Sequence, residues 1–566
     1  MRRLTDRAQA PPTHGGDKER ALLSSHSIEL KIQSELKSAM YNPEVPGKRF
    51  ITYEKLCAVW ANTSIDSIES FRSFFLEELQ LVRRNYMRVL SILIYIGWDL
   101  ARFRPVFLRC DLDDDKLCFD SDQLHELGEL APNFNDVQYI FKPVQIDSRP
   151  EIQSVSTKLR LPFTSMNEMS GTDGPGVVSR RVIAAGQFIE SIGGKSTRTN
   201  KDPMVVACKQ FEADFRWAPR ARETRAYSII RERSRAHEGI LTHFATLAHG
   251  NDFIIVFPFA QHYSLEVFFK EGDEKRPTNL NQGGSPQVRE RYHFTKKFPL
   301  LANSSILHLT MLSQACKLVD ALLFLQKELQ VPGWGDSYCV HENLEPPEIL
   351  IDGNPSDPMT PAGTWKLTDF GLSMYEKGTD TRNIRHLLLE ELSQGVFVLD
   401  EVFISNLSHN SGYLSPEQGS RRGIHEWPRS YHRERDDSLD WRKTDSWSVG
   451  CLLCELLAFS LSRRRGVDIL RRARRDDFGI GFYETYGDSN QPMSQIYRAN
   501  IRIKQSVLSW LHESAKAKPT YVSVVDQILR PYPEDRPNMR RIRSLLGALE
   551  SGKVTASKTR RPTDIR

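Results

Sequence analysis

The most hydrophobic run of the sequence, residues 89–98, falls short of a membrane span, at about half the length required to cross a bilayer. Patterned cysteine is also missing. The eight cysteines are scattered, and Cys451 and Cys454 form a CxxC with neither a second such pair nor a histidine pair to complete a zinc site. The surrounding CLLCELL reads as a buried helical turn. Unpatterned thiols and the lack of a signal-peptide pattern predict an intracellular protein, cytoplasmic or nuclear. An excess of one charge is lacking too. Lys and Arg number 77 against 72 Asp and Glu, a surplus of +5 that does not point to nucleic acid. Ordinary glycine, cysteine and apolar contents exclude collagen, a disulfide scaffold and a wholly disordered chain. What is there is length: 566 residues, 39% of them hydrophobic, enough for about three to four domains.

Residues 1–26 carry APPTHGG and mixed charges without an apolar period, and read as a disordered lead. Residues 27–150 read as a mainly helical N-terminal extension. Ile28, Ile32, Leu36 and Ala39 recur at helical spacing, and Asn62 or Thr63 is placed to cap a following helix. Phe71, Phe74, Phe75, Leu79, Val82, Tyr86, Val89 and Leu93 form one long apolar stripe, expected on a single helix that packs against the rest of the chain. Asp111, Asp113, Asp115 and Asp122 fall at calcium-loop positions, but Lys116 stands where the sharp turn needs glycine and the last ligand is not glutamate, so an acidic turn is expected. Beyond about residue 165, β-like runs (VVSRRVI, PMVVACKQF, DFIIVFPF) give way to helical patterns, and strands followed by helices predict an α+β body. Residues 270–304, with NQGGSPQ at the centre, read as a surface insertion, and 551–566 as a basic disordered tail.

Four motifs occur in a telling order. Lys209 ends the apolar run Val205-Val206-Ala207-Cys208. Asp369-Phe370-Gly371 follows the strand-like Trp365-Lys366-Leu367-Thr368. Then come Gly412-Tyr413-Leu414-Ser415-Pro416-Glu417 and Asp445 at the head of an apolar helix, with Arg536-Pro537 further on. With these motifs, residues 170–548 resemble the eukaryotic protein kinase family. The resemblance implies a bilobal protein kinase-like fold over 165–548: a small β-rich lobe (about 165–260), the insertion and a large helical lobe (305–548). It also implies ATP and magnesium as cofactors. By that resemblance Lys209 would hold phosphates and pair with a helical glutamate, Glu223 by preference over Glu232. Asp369 would hold magnesium, Phe370 would join a packed regulatory column to which Tyr227, one turn after Glu223, supplies a residue, Glu417 would pair with Arg536, and Asp445 would anchor the catalytic loop. Phe257 to Ala260 would be the hinge meeting adenine, and Ala207 and Leu350 would sandwich the base. Gly171, Gly176 and Val178 match the glycine-rich loop, with Asp173 where its middle glycine belongs. Gly194-Lys195-Ser196 ends like a P-loop, but the required first glycine falls at Ile189 and that reading fails.

The catalytic loop departs from the family. His341-Glu342-Asn343-Leu344-Glu345-Pro346-Pro347-Glu348 stands where the family has H-R-D-L-K-P-x-N. Asn343 puts a nearly non-basic amide at the general-base position, a function worth about 10²–10⁴-fold. Glu345 replaces a phosphate-steadying lysine, and Glu348 replaces a metal-holding asparagine but keeps an oxygen ligand. With Glu342 in place of arginine, the loop is four charges more negative than the family's, where a polyanion must bind. Glu342 would also repel a phosphate on Ser405, Ser408 or Ser411. The expected function is an ATP-binding, kinase-like scaffold or regulator in signalling with impaired or absent phosphotransfer, a pseudokinase. An active unconventional Ser/Thr kinase is the alternative. The HEGIL and FPFA segments and the helical extension are similar to kinase-like proteins of filamentous fungi. A protein partner or protein substrate is expected, and Arg463, Arg464, Arg465, Arg471, Arg472, Arg474 and Arg475 offer either a solvated helix face or a docking face for an acidic protein.

Overall fold

Ile32 and Leu36, one helical turn apart, are fully buried on α1 (Gly16–Ala39), and around them the N-terminal residues build a core of their own. The computed structural model describes residues 16–42, 44–61, 63–149, 151–168, 176–192, 195–211, 227, 230, 237–260, 264–271, 294–328, 337–377, 411–421, 440–476, 479–485 and 501–552. The fold is α+β. It divides into two compact units: Met1–Asn167, Ser179–Val206 and Leu247–Ile254 make the first, and Glu168–Val178, Ala207–Thr246 and Ile255–Arg566 the second. Helix α1 begins at Gly16, inside the stretch expected to be a disordered lead, because Glu19, Arg20, Ala21, Leu22 and Leu23 are good helix formers.

The first unit contains α2 (Tyr53–Trp60), α3 (Leu76–Asn85), α4 (Met87–Ile96) and α5 (Ala131–Phe141). The long apolar stripe does not lie on one helix. Its first residue, Phe71, ends a 3₁₀ turn (Glu69–Phe71), Phe74 and Phe75 precede α3, and Tyr86, at φ −127° and ψ 16°, breaks the helix between α3 and α4. Burial explains the break. Seven of the ten residues of α4 are buried, so it must be enclosed on all sides, whereas α3 buries Val82 alone. The stripe packs within the core formed by residues 32–141, where Phe71 meets Phe103 edge-on and Phe103, Phe107 and Phe134 stack in sequence. Thr63 does not cap a helix: a 3₁₀ turn starts after Ser64, and α3 starts after its N-cap Phe75, whose N–H donates to Glu78. Asn62 lies outside the described residues.

The acidic turn has a structural task that its spacing did not reveal. Asp111 pairs with Lys116, and Asp113 accepts the Lys116 N–H. Asp114 is buried and accepts the N–H groups of Arg88 and Val89 at 2.9 Å each, capping α4 from a distant loop. Burial pushes its carboxyl up to about 6. Asp114→Ala should cost about 1–2 kcal/mol, read as a roughly tenfold loss of hydrogen-exchange protection in α4.

Strand β1 (Ile146–Asp147) pairs in parallel with β5 (Phe188–Ile192), which pairs antiparallel with β6 (Lys195–Thr199). A six-stranded sheet runs in the order β2 (Ile152–Val155), β8 (Ala245–His249), β9 (Asp252–Pro258), β7 (Met204–Phe211), β4 (Val177–Ile183), β3 (Phe163–Glu168). In the second unit α6 (Leu265–Phe269) and α7 (Phe294–Lys297) precede α8 (Ser304–Leu323), which is N-capped by Asn303. The stretch Ser304–Glu328 is, among the described residues, the helix apolar and long enough to span a membrane, and 61% of its apolar window is buried inside the protein. It packs on α10 (Arg442–Ala473) and α13 (Met539–Glu550). Between these lie the hairpin β11 (Ile349–Asp352) with β12 (Thr364–Leu367), the pair β10 (Ser337–Val340) with β13 (Met374–Lys377), α9 (Pro416–Arg421), β14 (Tyr483–Thr485) with β15 (Ile501–Ile503), α11 (Gln505–Ala515) and α12 (Pro519–Ile528).

Two surface expectations are corrected here. The end of the supposed insertion is core: Phe294, Phe298 and Leu301 are buried, with Phe294 and Phe298 packed against Phe268. Residues 272–293 lie outside the described residues. The arginine cluster is partly internal. A backbone break at Ser462 and Arg463 bends α10, so that Arg463 donates to the Leu301 carbonyl. Arg471 pairs with Glu266 and Glu455, and Arg474 with Glu455, whose carboxylate is fully buried.

Candidate functional site

In β7 the side chains alternate across the sheet. Val206 and Cys208 are fully buried in the core, which turns Ala207 and Lys209 to the opposite face. Lys209 is 7% exposed, and its Nζ lies 3.1 Å from Asp369 Oδ1, a residue delivered by the end of β12. The resemblance pairs Lys209 with Glu223 or Glu232, and both glutamates lie outside the described residues. Burial alone would raise the Asp369 carboxyl. The Lys209 charge and hydrogen bond, with the Gly371 N–H, outweigh it and hold the group below the usual range. Asp369 has φ +56° and Glu342 φ +64°, left-handed conformations costly to non-glycine residues and held only by surrounding bonds.

Those bonds form a continuous path. The Asp369 N–H donates to Tyr227 Oη at 3.1 Å. The Tyr227 ring packs edge-on to Phe257 and Phe370, with centroids 5.0 and 5.2 Å away, and Phe370 lies 4.9 Å from the His341 ring. His341 Nδ1 accepts the Asn343 N–H, so Nε2 carries the proton and donates to the Thr368 carbonyl at 3.0 Å. Full burial drops its pKa to about 4, and the imidazole is neutral. Asp445, at the start of α10, accepts the N–H groups of His341 and Glu342 and the Gln326 amide, each at 3.1 Å. Its carboxyl is pushed up to about 7 by burial in spite of these donors.

The loop that follows is acidic and turned inward. The Glu342 side chain is buried and accepts from the Thr444 hydroxyl. The Asn343 side-chain amide makes no hydrogen bond among the described residues. Glu345 Oε2 accepts the Ser411 hydroxyl at 3.0 Å. Burial pushes the Glu345 carboxyl up to about 7; Ser411 and Arg474 oppose the rise, while Glu266 and Asp369 add to it. Glu348 ends a 3₁₀ turn, and its carbonyl accepts the Thr368 N–H, which ties it to the strand leading into Asp369.

Val178, Ala207, Ala260 and Leu350 are half-buried, as is Gly176. Gly176 has φ +102°, and a Cβ there would sit 3.0 Å from the Gln210 carbonyl oxygen, a position only glycine takes without strain. The Phe257 ring is buried against Tyr227. Gly171, Asp173, Ser405 and Ser408 lie outside the described residues. At the far end Arg536 and Glu417 form a buried bidentate pair at 2.5 and 2.9 Å.

Sequence reasoning missed the Glu455 network. Arg471 spans Glu266 and Glu455, while Arg474 reaches Glu455 and lies over the Tyr413 ring. The available signal was Glu455 itself, an acid inside the apolar run CLLCELLAF, which demands a buried cation. Among the described residues no three His, Cys, Asp or Glu side chains converge on a metal-sized site. Comparison of the sequence with protein-family models and with curated proteins returns no match.

Proposed function

We propose that residues 165–548 form a bilobal protein kinase-like domain that binds ATP, with impaired or absent phosphotransfer, and acts as a scaffold or regulator in signalling. The observation that carries this reading is the joined set Lys209–Asp369, Tyr227–Phe370–His341 and Asp445, drawn from five separate stretches of the sequence. A lysine and an ionised aspartate on one face are suited to phosphates and a divalent cation, and the aromatic column with the Asp445 bonds fixes the loop that would meet them. At the position for proton removal this loop presents Asn343, and beside it two carboxyl groups.

Asp369 and Glu348 are the residues that would hold magnesium. The hard oxygen donors fit the ion, and two carboxylates with phosphate oxygens are the usual protein share of its shell. When bound, the ion would offset phosphate charge. Lys209 would orient the phosphates, and Val178, Ala207 and Leu350 would cover the base. The alternative, an active unconventional Ser/Thr kinase, is favoured by one feature: Glu345, titrating near neutrality, already accepts a serine hydroxyl. A radiolabel transfer assay separates the two. Transfer that disappears in both Lys209→Ala and Asp369→Ala proteins supports the active kinase; bound ATP without transfer supports the pseudokinase.

Glu345 also sets a pH dependence. Below its pKa of about 7 it is neutral; above, it adds a negative charge near the phosphates, facing Glu266, Asp369, Arg474 and Ser411. ATP affinity should therefore fall as pH rises from 6 to 8. Taken as the ratio to Glu345→Gln, which removes the titration and cancels the nucleotide's own protonation, the fall should be about tenfold. Titration calorimetry at both pH values gives that ratio, and a ratio that stays constant contradicts the assignment.

A further inference from the structure

We infer that the helical N-terminal region carries a binding site for a small amphiphilic carboxylate, in the cleft where α2 ends and α4 begins. This cleft has a volume of about 480 Å³, within the size range of sites for small organic molecules. Its floor is apolar and buried: Trp60, Ile65 and Met87 are 7%, 1% and 5% exposed. One wall is the exposed face of α2, with the Tyr53 ring and the Cys57 thiol. The rim holds Arg83, near the C-terminal end of α3, and Ser64.

Three features make this a formed site. The Trp60 indole N–H donates to Ser91 Oγ at 2.9 Å, which fixes the ring on the floor. The Arg88 guanidinium lies 4.8 Å over the Tyr53 ring and braces the wall. Ser64 donates its hydroxyl to Asp66 while accepting from Arg83 Nη2 at 3.3 Å, which leaves the guanidinium as the donor group at the rim. Among the described residues Arg83 has no carboxylate partner. A buried apolar floor in an open cleft, with one cation at its edge, selects a ligand with an apolar body and one acidic head. The guanidinium fork matches a carboxylate through two parallel hydrogen bonds. A purely apolar molecule would leave that cation unused, and a polyanion would meet too few positive groups and lie near Asp66.

Cys57 supplies the readout, because its thiol lines the cleft while Cys110, also exposed, does not. The full-length protein is alkylated with iodoacetamide, and the rates at the two cysteines are followed by peptide mass mapping, with and without 1 mM decanoate. For a Kd near 0.1 mM, decanoate should slow Cys57 alkylation about tenfold and leave Cys110 unchanged. Decanol should protect Cys57 less than decanoate, and Arg83→Gln, checked for folding by circular dichroism, should erase the difference between the two. Equal Cys57 rates with and without decanoate overturn the site. Equal protection by decanol and decanoate overturns the carboxylate assignment, and protection by an acidic peptide alone replaces the small ligand with a protein partner.

Discussion

Restoring the kinase pattern with Asn343→Asp, Glu345→Lys and Glu348→Asn together should raise phosphotransfer at least about 100-fold above the unmodified protein. The gain comes from two terms. A carboxylate in place of the Asn343 amide restores a proton acceptor, worth about 10²–10⁴-fold. Lysine in place of Glu345 removes a carboxyl group that faces Asp369 and Glu266 and supplies a cation for the transferred phosphoryl group. Asn343→Asp alone should recover part of the effect, since the Asn343 side chain has no hydrogen-bond partner to disrupt among the described residues and its N–H bond to His341 is kept. Transfer measured with radiolabelled ATP on a generic protein substrate checks this. If the triple variant binds ATP but transfers no faster than the unmodified chain, the acidic loop is not what suppresses transfer. If the unmodified chain already transfers at kinase-like rates, the alternative reading replaces the proposal.

Arg536→Ala should be the most damaging single substitution in the second unit, costing about 3–5 kcal/mol. Arg536 is 2% exposed, and its guanidinium donates to Glu417 twice and to the carbonyls of Arg530, Pro531 and Lys443. It also lies 5.0 Å over the Trp447 ring. Truncation leaves the Glu417 carboxylate buried without its cation and takes one donor from each of three carbonyls. The melting temperature should drop by roughly 10 °C, taking 2–4 °C per kcal/mol for a large domain. Arg536→Lys should recover little, because an ammonium cannot serve five acceptors in a planar fan. Arg536→Met combined with Glu417→Leu should be milder than either single change, since no charge is then left unpaired. A loss below 1 kcal/mol for Arg536→Ala would mean that the pair is solvated.

What could be read from the sequence followed from short-range pattern. The apolar spacing of Ile32 and Leu36 marks a helix, and the alternation in VVACK puts Val206 and Cys208 on one face and Lys209 on the other. The resemblance named Lys209, Asp369, Phe370, His341, Asp445, Glu417 and Arg536, and the structure brings these into one path and one ion pair. What could not be read rests on contacts between residues far apart in the chain. Asp114 looked like one more acid in a turn, because its role lies in the N–H groups of Arg88 and Val89, about 25 residues earlier. The break at Tyr86 was hidden because an unbroken apolar stripe cannot tell one helix from two that share a core. Three of the seven arginines turned inward because Glu266, Glu455 and the Leu301 carbonyl, none of them near in sequence, needed partners. The titration of Glu345 near neutrality depends on its burial beside Ser411, Glu266 and Asp369, which no spacing encodes.

Thermal unfolding of the full-length protein with millimolar ATP, with and without magnesium, and in parallel for Lys209→Ala, tests the nucleotide site most directly. At ATP near 100 times its Kd the folded state gains about 2.7 kcal/mol, so the proposal predicts an upward shift of roughly 5 °C in the unmodified protein. It predicts little or none in Lys209→Ala, each measured against its own ATP-free baseline. An unmodified protein that melts at the same temperature with and without ATP, or a Lys209→Ala protein that shifts just as far, would contradict it.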